Sequence, residues 1–89
     1  MIEVKNQSGD VIFAFPQDDF CDADLRNIDL RGALMEGVLL AGANLSGACL
    51  EGANLYWAIL FETNLRNANL RSCCLRGPIS RRRTFKVLI

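Results

Sequence analysis

The chain contains no histidine and only one tryptophan, one tyrosine and two prolines in 89 residues. Histidine is the commonest general base and the commonest metal ligand, so chemistry that depends on imidazole is excluded. The sequence also has no glycine-rich phosphate loop, and no serine or cysteine has a recognisable base nearby. We therefore expect a non-enzymatic protein with no cofactor, no metal and no small-molecule substrate.

Long apolar runs and disulfide spacing are missing too. No stretch approaches the roughly 18 apolar residues that a membrane span requires, and the chain does not begin with a basic leader. The four cysteines, at positions 21, 49, 73 and 74, form no CxxC pair. We expect reduced thiols in a cytoplasmic domain rather than disulfides or a zinc site, with Cys73 pointing inward and Cys74 outward.

What the chain does contain is a five-residue register. Every position from 20 to 75 whose number is a multiple of five holds a leucine, phenylalanine or methionine, and ten of these twelve are leucine. Two positions earlier lies a small or apolar residue, as at Ala43 and Ala48, and a residue that is often Asp or Asn separates the two columns. This in-out-in alternation predicts very short strands. Glycines two positions after the large residue, at 32, 37, 42, 47, 52 and 77, predict corners.

A five-residue period is incompatible with a single helix or a straight strand. On an α-helix each step rotates the side chain by about 140° net, so the leucines would form no stripe. On a straight strand an odd spacing sends successive leucines to opposite faces. The remaining arrangement turns a corner after each short strand and winds into a solenoid with both inward columns facing a common axis.

The block Ala43 to Gly47, repeated as Ala48 to Gly52 and Ala53 to Trp57, resembles the pentapeptide repeat family, whose pattern is A(D/N)LXX. The similarity extends in register from residue 18 to residue 77. It implies an all-β fold, a right-handed quadrilateral parallel β-helix with four blocks in each coil. Twelve blocks would then make about three coils.

The flanking segments complete three predicted regions. Residues 1–16 alternate apolar and polar side chains around a turn-rich stretch and predict a β-hairpin that caps the first coil. Residues 17–77 form the β-helix. Residues 78–89 form a basic C-terminal tail whose apolar end, Phe85 to Ile89, either caps the last coil or docks on another chain.

Charge is unevenly distributed although the net charge is zero. Residues 1–62 hold all ten acids and three bases, a net charge of −7, and residues 63–89 hold seven bases, a net charge of +7. Either this is ordinary solvated surface charge, or the basic end docks on something acidic. The candidate basic docking residues are Arg76, Arg81, Arg82, Arg83 and Lys86.

Stacking the blocks four apart, as the resemblance implies, gathers apolar residues at outward positions. The candidate interaction surface consists of Leu34, Leu39, Tyr56, Trp57, Ile59 and Phe61. Three alternatives stay open for it. The hairpin or the tail covers it, it is an exposed patch for dimerisation or partner binding, or it lines a ligand groove.

These observations favour a protein–protein interaction module or a self-associating structural module, with a homodimer as one form. The resemblance also implies an alternative, since some pentapeptide repeat proteins mimic duplex DNA and bind type II topoisomerases. That mimicry needs a long acidic rod, whereas this chain is short, has no net charge and carries Arg26, Arg31 and Arg66 on its faces. Nucleic-acid binding through the basic tail is a further alternative, but nucleic acid and membrane are not the expected partners.

Overall fold

The computed structural model describes residues 1–75. Two strands come first, β1 (Ile2–Lys5) and β2 (Val11–Phe15), and single-residue parallel bridges follow from Asp24 to Cys74. Residues 1–75 contain no helix. The predicted basic tail and the candidate docking residues from Arg76 onward lie outside the described residues.

Strands β1 and β2 form an antiparallel hairpin. Ile2 pairs with Phe15 and Val4 with Phe13, and the register shifts between Val4 and Lys5. The turn is closed by Asn6, whose side-chain oxygen accepts hydrogen bonds at 3.0 Å from two backbone amides further along the turn. Such bonds to neighbouring backbone are what make asparagine a turn residue.

The bridges that follow pair each residue with one twenty positions later. One stack runs through Asp24, Asn44 and Asn64, and another pairs Leu39 with Ile59. The stacks are held by backbone hydrogen bonds, such as those from the Asn44 amide to the Ala23 carbonyl at 2.9 Å and from the Leu45 amide to the Asn64 carbonyl at 2.7 Å. Twenty residues, or four blocks, therefore separate one layer of the stack from the next.

Both inward columns face the core as the register predicts, although their members at positions 28, 38, 68, 70, 73 and 75 are only partly buried. The leucines at positions 30, 40, 45, 50, 55 and 65 have no exposed surface, and the alanines at 33, 43 and 58 are equally buried. Thr63, the polar member of the small column, donates its hydroxyl to the Leu40 carbonyl at 2.9 Å. Within residues 1–75 no buried side-chain nitrogen or oxygen lacks a hydrogen-bond partner, which avoids the penalty for burying an unpaired polar group.

The corners place their second residue in the left-handed region. Five of these positions are the predicted glycines, and six hold other residues: Asp22, Asn27, Trp57, Glu62, Asn67 and Ser72. At Gly42 a β-carbon would collide with the carboxylate of Asp22 from the layer before it. That carboxylate ends an exposed, flexible side chain that can move aside, so the positive φ rather than the space favours glycine at Gly42.

The outward Asp and Asn side chains cap the corner that follows them. The side-chain oxygen of Asn44 accepts from the Ser46 amide at 3.1 Å, and that of Asn54 accepts from the Tyr56 amide at 2.9 Å. The same bond joins residues 19 to 21, 24 to 26, 29 to 31, 64 to 66 and 69 to 71. Because the side chain supplies an acceptor to a corner amide, the Asp or Asn in each block has a structural role.

The hairpin lies against the first layer of the repeats. The Leu34 amide donates to the Lys5 carbonyl at 2.8 Å, and Val4 is only 2% exposed. The rings of Phe13 and Phe15 pack on Phe20, with centroids 6.4 and 5.1 Å away. These contacts cover the apolar interior at this end of the stack.

Candidate interaction surface

The six apolar residues singled out above occupy neighbouring positions and are called the apolar strip. Leu39 and Ile59 pair directly on one face. Leu34 lies on the preceding face, and Tyr56 and Trp57 form the corner between these two faces in the next layer, since the Gly37 amide donates to the Tyr56 carbonyl at 2.9 Å. Phe61 follows at the next corner.

Three of the six side chains are strongly exposed. Leu34 and Leu39 are each 44% exposed and Trp57 is 49% exposed. Tyr56, Ile59 and Phe61 are half-buried, and Ile59 packs against the core. The hairpin leaves Leu34, Leu39 and Trp57 exposed, although its Lys5 pairs with the backbone of Leu34. A row of large exposed apolar side chains on adjacent faces is typical of a binding surface.

The strip departs from the local rules that shape the other blocks. Leu39 and Ile59 stand where other blocks place an Asp or Asn, so the corner amides of Ala41 and Phe61 have no side-chain acceptor within residues 1–75. Trp57 has φ of +65° at a corner position that suits glycine, and its ring meets the Tyr56 ring edge-on with centroids 5.8 Å apart. A bulky side chain at positive φ is strained, so two features of the strip reduce local stability.

A comparison with known families accounts for the scaffold. The sequence model described as "Pentapeptide repeats" matches the chain in 8 copies, over residues 19–55 and 39–77. The chain belongs to the pentapeptide repeat family. A search of the curated proteins found no match. The family, predicted from the A(D/N)LXX blocks, is confirmed, and with it the β-helix class of the fold.

Away from the strip, the pentapeptide repeat blocks carry paired charges. The Arg26 guanidinium donates to both carboxylate oxygens of Asp24 at 2.8 Å, and Arg31 binds Asp29 in the same way at 2.9 and 2.8 Å. These side-chain hydrogen bonds hold the pKa of each aspartate below its usual value of 3.8. Both pairs are solvent-exposed, so they neutralise the surface more than they stabilise the fold.

The cysteines are free thiols, and one of them is held in its protonated form. All four cysteines are free. Burial raises the pKa of the Cys73 thiol to about 11, so this thiol is protonated at neutral pH and is a poor nucleophile. Within residues 1–75 no three Cys, Asp or Glu side chains lie close enough together to hold a metal ion. The same residues contain no helix long and apolar enough to cross a membrane.

Two features of the surface are not predicted from the sequence. The strain at Trp57 was missed, although its position shares the register of the corner glycines and so carried the signal. The pairing of Asp24 with Arg26 is not predicted either, because the sequence alone places Arg26 on an outward face without a partner. Of the predicted site residues, those of the apolar strip stay a predicted interaction surface, and those of the basic group lie beyond the described part of the chain.

Proposed function

We propose that this protein is a non-enzymatic protein-binding module that associates through the apolar strip. The observation that carries the proposal is the exposure of Leu34, Leu39 and Trp57, at 44%, 44% and 49%, on adjoining positions of an otherwise polar repeat surface. Aromatic and aliphatic anchors of this kind dominate the energetics of protein interfaces.

The residues at the strip favour binding to a partner rather than local stability of the fold. An Asn at position 39 or 59 would match the family pattern and provide a corner acceptor, as Asn44 and Asn64 do. The chain instead exposes an aliphatic side chain at Leu39, which gives up that local bond. Strained or locally unfavourable residues that persist on a regular scaffold are characteristic of functional positions.

The scaffold supplies a rigid platform for this surface. Within the β-helix class we propose the family's right-handed quadrilateral form with about three coils. Free cysteines fit a reducing compartment, so we also propose a cytoplasmic location.

The corner stacks of Arg26 and Arg31 do not support DNA mimicry. A mimic of duplex DNA needs a row of uncompensated negative charge, and Asp24 and Asp29 are each neutralised by a two-point hydrogen bond from an arginine. Arg66 and Arg71 add positive charge to the same corner stacks.

The test compares the wild-type chain with Leu39→Asn/Ile59→Asn, the strip variant. Each new Asn is placed to cap its own corner, so we expect this variant to fold. Cys49→Asn is the matched control because it adds an Asn at the same kind of outward position on a different face. Each tagged chain is used to capture untagged wild-type chain and, separately, proteins of a source-cell lysate.

We expect the wild-type and Cys49→Asn baits to retain the same stoichiometric partner, whether a second copy or another protein. The strip variant should retain none while showing the wild-type circular dichroism spectrum. Equal capture by all three baits would exclude the apolar strip as the binding surface.

A further inference from the structure

Acidic side chains border the apolar strip. They are Asp18, Asp19, Asp22, Glu36 and Glu62. A groove lined by the first two also contains Leu39, and a second groove brings Asp22 and Glu62 beside Phe61. Glu36 directly precedes Gly37, which is hydrogen-bonded to Tyr56. The strip is therefore an apolar surface with an acidic border.

Basic residues lie mostly elsewhere in the described part of the chain. Arg26 and Arg66 share one corner stack away from the strip, and Arg31 and Arg71 share the next, which adjoins the face of Leu34 on its side away from Trp57. Among residues 1–75, Lys5, beside Leu34, and the N-terminal amine, beside Asp18, are further positive groups near the strip. The five border acids and these two positive groups together carry a net charge of −3.

Ion pairing reinforces this asymmetry. Arginines neutralise Asp24 and Asp29 on the other faces. At the border of the strip, Asp18 pairs with the N-terminal amine at 3.2 Å. Within residues 1–75 the remaining four border acids make no ion pair, so no described residue neutralises their negative potential.

The chain itself contains a segment of matching chemistry. The basic tail, residues 78–89, has four bases and no acid, a net charge of +4. Three consecutive arginines are followed by Phe85, Val87, Leu88 and Ile89. A peptide with this composition offers apolar side chains to the strip and positive charge to its border.

We infer that the apolar strip binds the basic tail of a second copy of this chain. The inference rests on the proposed function and names its partner. Leu34, Leu39 and Trp57 are exposed among the described residues, which leaves an apolar surface for such a segment to cover. Two copies that exchange tails reciprocally form a closed pair with two-fold symmetry, so assembly stops at the dimer. A direct strip-to-strip contact would instead bring the two acidic borders together.

Complementation between two variants tests this arrangement. The strip variant Leu39→Asn/Ile59→Asn keeps its tail, and the tail variant Arg81→Ala/Arg82→Ala/Arg83→Ala keeps its strip. Wild type, each variant alone and an equimolar mixture of the two variants are examined by sedimentation velocity, at low and at high salt. Circular dichroism checks that every chain is folded.

Wild type should form a dimer that weakens in high salt, since exposed charge pairs are screened. Each variant alone should be monomeric. The mixture should form a one-to-one pair, because the intact strip of one variant binds the intact tail of the other. Its dissociation constant should exceed that of wild type by about tenfold or more, since one of two contacts is missing.

Other outcomes overturn the inference and separate it from the proposed function. If the tail variant dimerises as wild type does, the strip binds another strip, and the inference fails while the proposed function stands. If the strip variant dimerises as wild type does, the inference fails, and capture from the lysate decides the proposed function. If wild type is monomeric and the mixture forms no pair, the proposed exchange of tails is wrong. Capture from the lysate then tests the proposed function.

Discussion

At the scale of single residues, Trp57 is where folding and binding conflict. Its φ of +65° is unfavourable for a residue with a β-carbon by about 1–2 kcal/mol, and asparagine tolerates this conformation better. Trp57→Asn should therefore leave the free energy of unfolding within about 1 kcal/mol of wild type, because relief of strain offsets the lost contact with Tyr56. Urea unfolding measures the change.

The control for that substitution is Leu55→Ala, at a residue with no exposed surface. Removing most of a buried leucine costs about 2–5 kcal/mol. If Trp57→Asn proved as costly as Leu55→Ala, the indole would be part of the packing that holds the repeats together. The case for Trp57 as a binding residue would then be lost.

At the scale of the repeating block, the side chain of the outward Asn stabilises the corner that follows it. Asn44→Ala removes the acceptor of the Ser46 amide, which lies 3.1 Å away in a partly buried corner. We expect a loss of about 0.5–1.5 kcal/mol of unfolding free energy, the usual contribution of one hydrogen bond. Cys49→Ala is the control, because this outward residue makes no bond to its following corner amide within residues 1–75. Thermal unfolding showing equal losses would contradict the capping role.

The blocks also show how far the sequence could predict this structure. The five-residue register correctly assigns Leu40, Leu45 and Ala43 to the core, because alternation in a three-residue strand depends on local geometry alone. The stacking of Leu39 on Ile59 depends on how many blocks make one layer, and only the family resemblance supplied that number. The exposure of a side chain depends on its neighbours in the same layer and on the layers above and below it. The sequence therefore could not separate exposed Leu39 from half-buried Ile59.

At the scale of the whole molecule, the repeat stack needs its ends closed. Each layer buries its leucines against the next one, so an uncovered end would present apolar side chains and unpaired backbone groups. The hairpin β1–β2 covers the first layer, where Phe15 packs on Phe20 at 5.1 Å and Val4 is 2% exposed. We expect a cap of this kind to prevent association of the chain through its end as well as to stabilise the fold.

Phe15→Ala should therefore produce two effects together. Loss of a half-buried ring should lower the free energy of unfolding by about 1–3 kcal/mol, and exposure of Phe20 should cause association through the uncovered end. Val11→Ala is the matched control, because Val11 is on the same strand but 49% exposed. Sedimentation velocity is measured in high salt with the strip substitutions Leu39→Asn/Ile59→Asn also present, so that association through the strip does not contribute. A Phe15→Ala chain that loses stability but stays monomeric would show that the hairpin stabilises the first layer without preventing contact between ends.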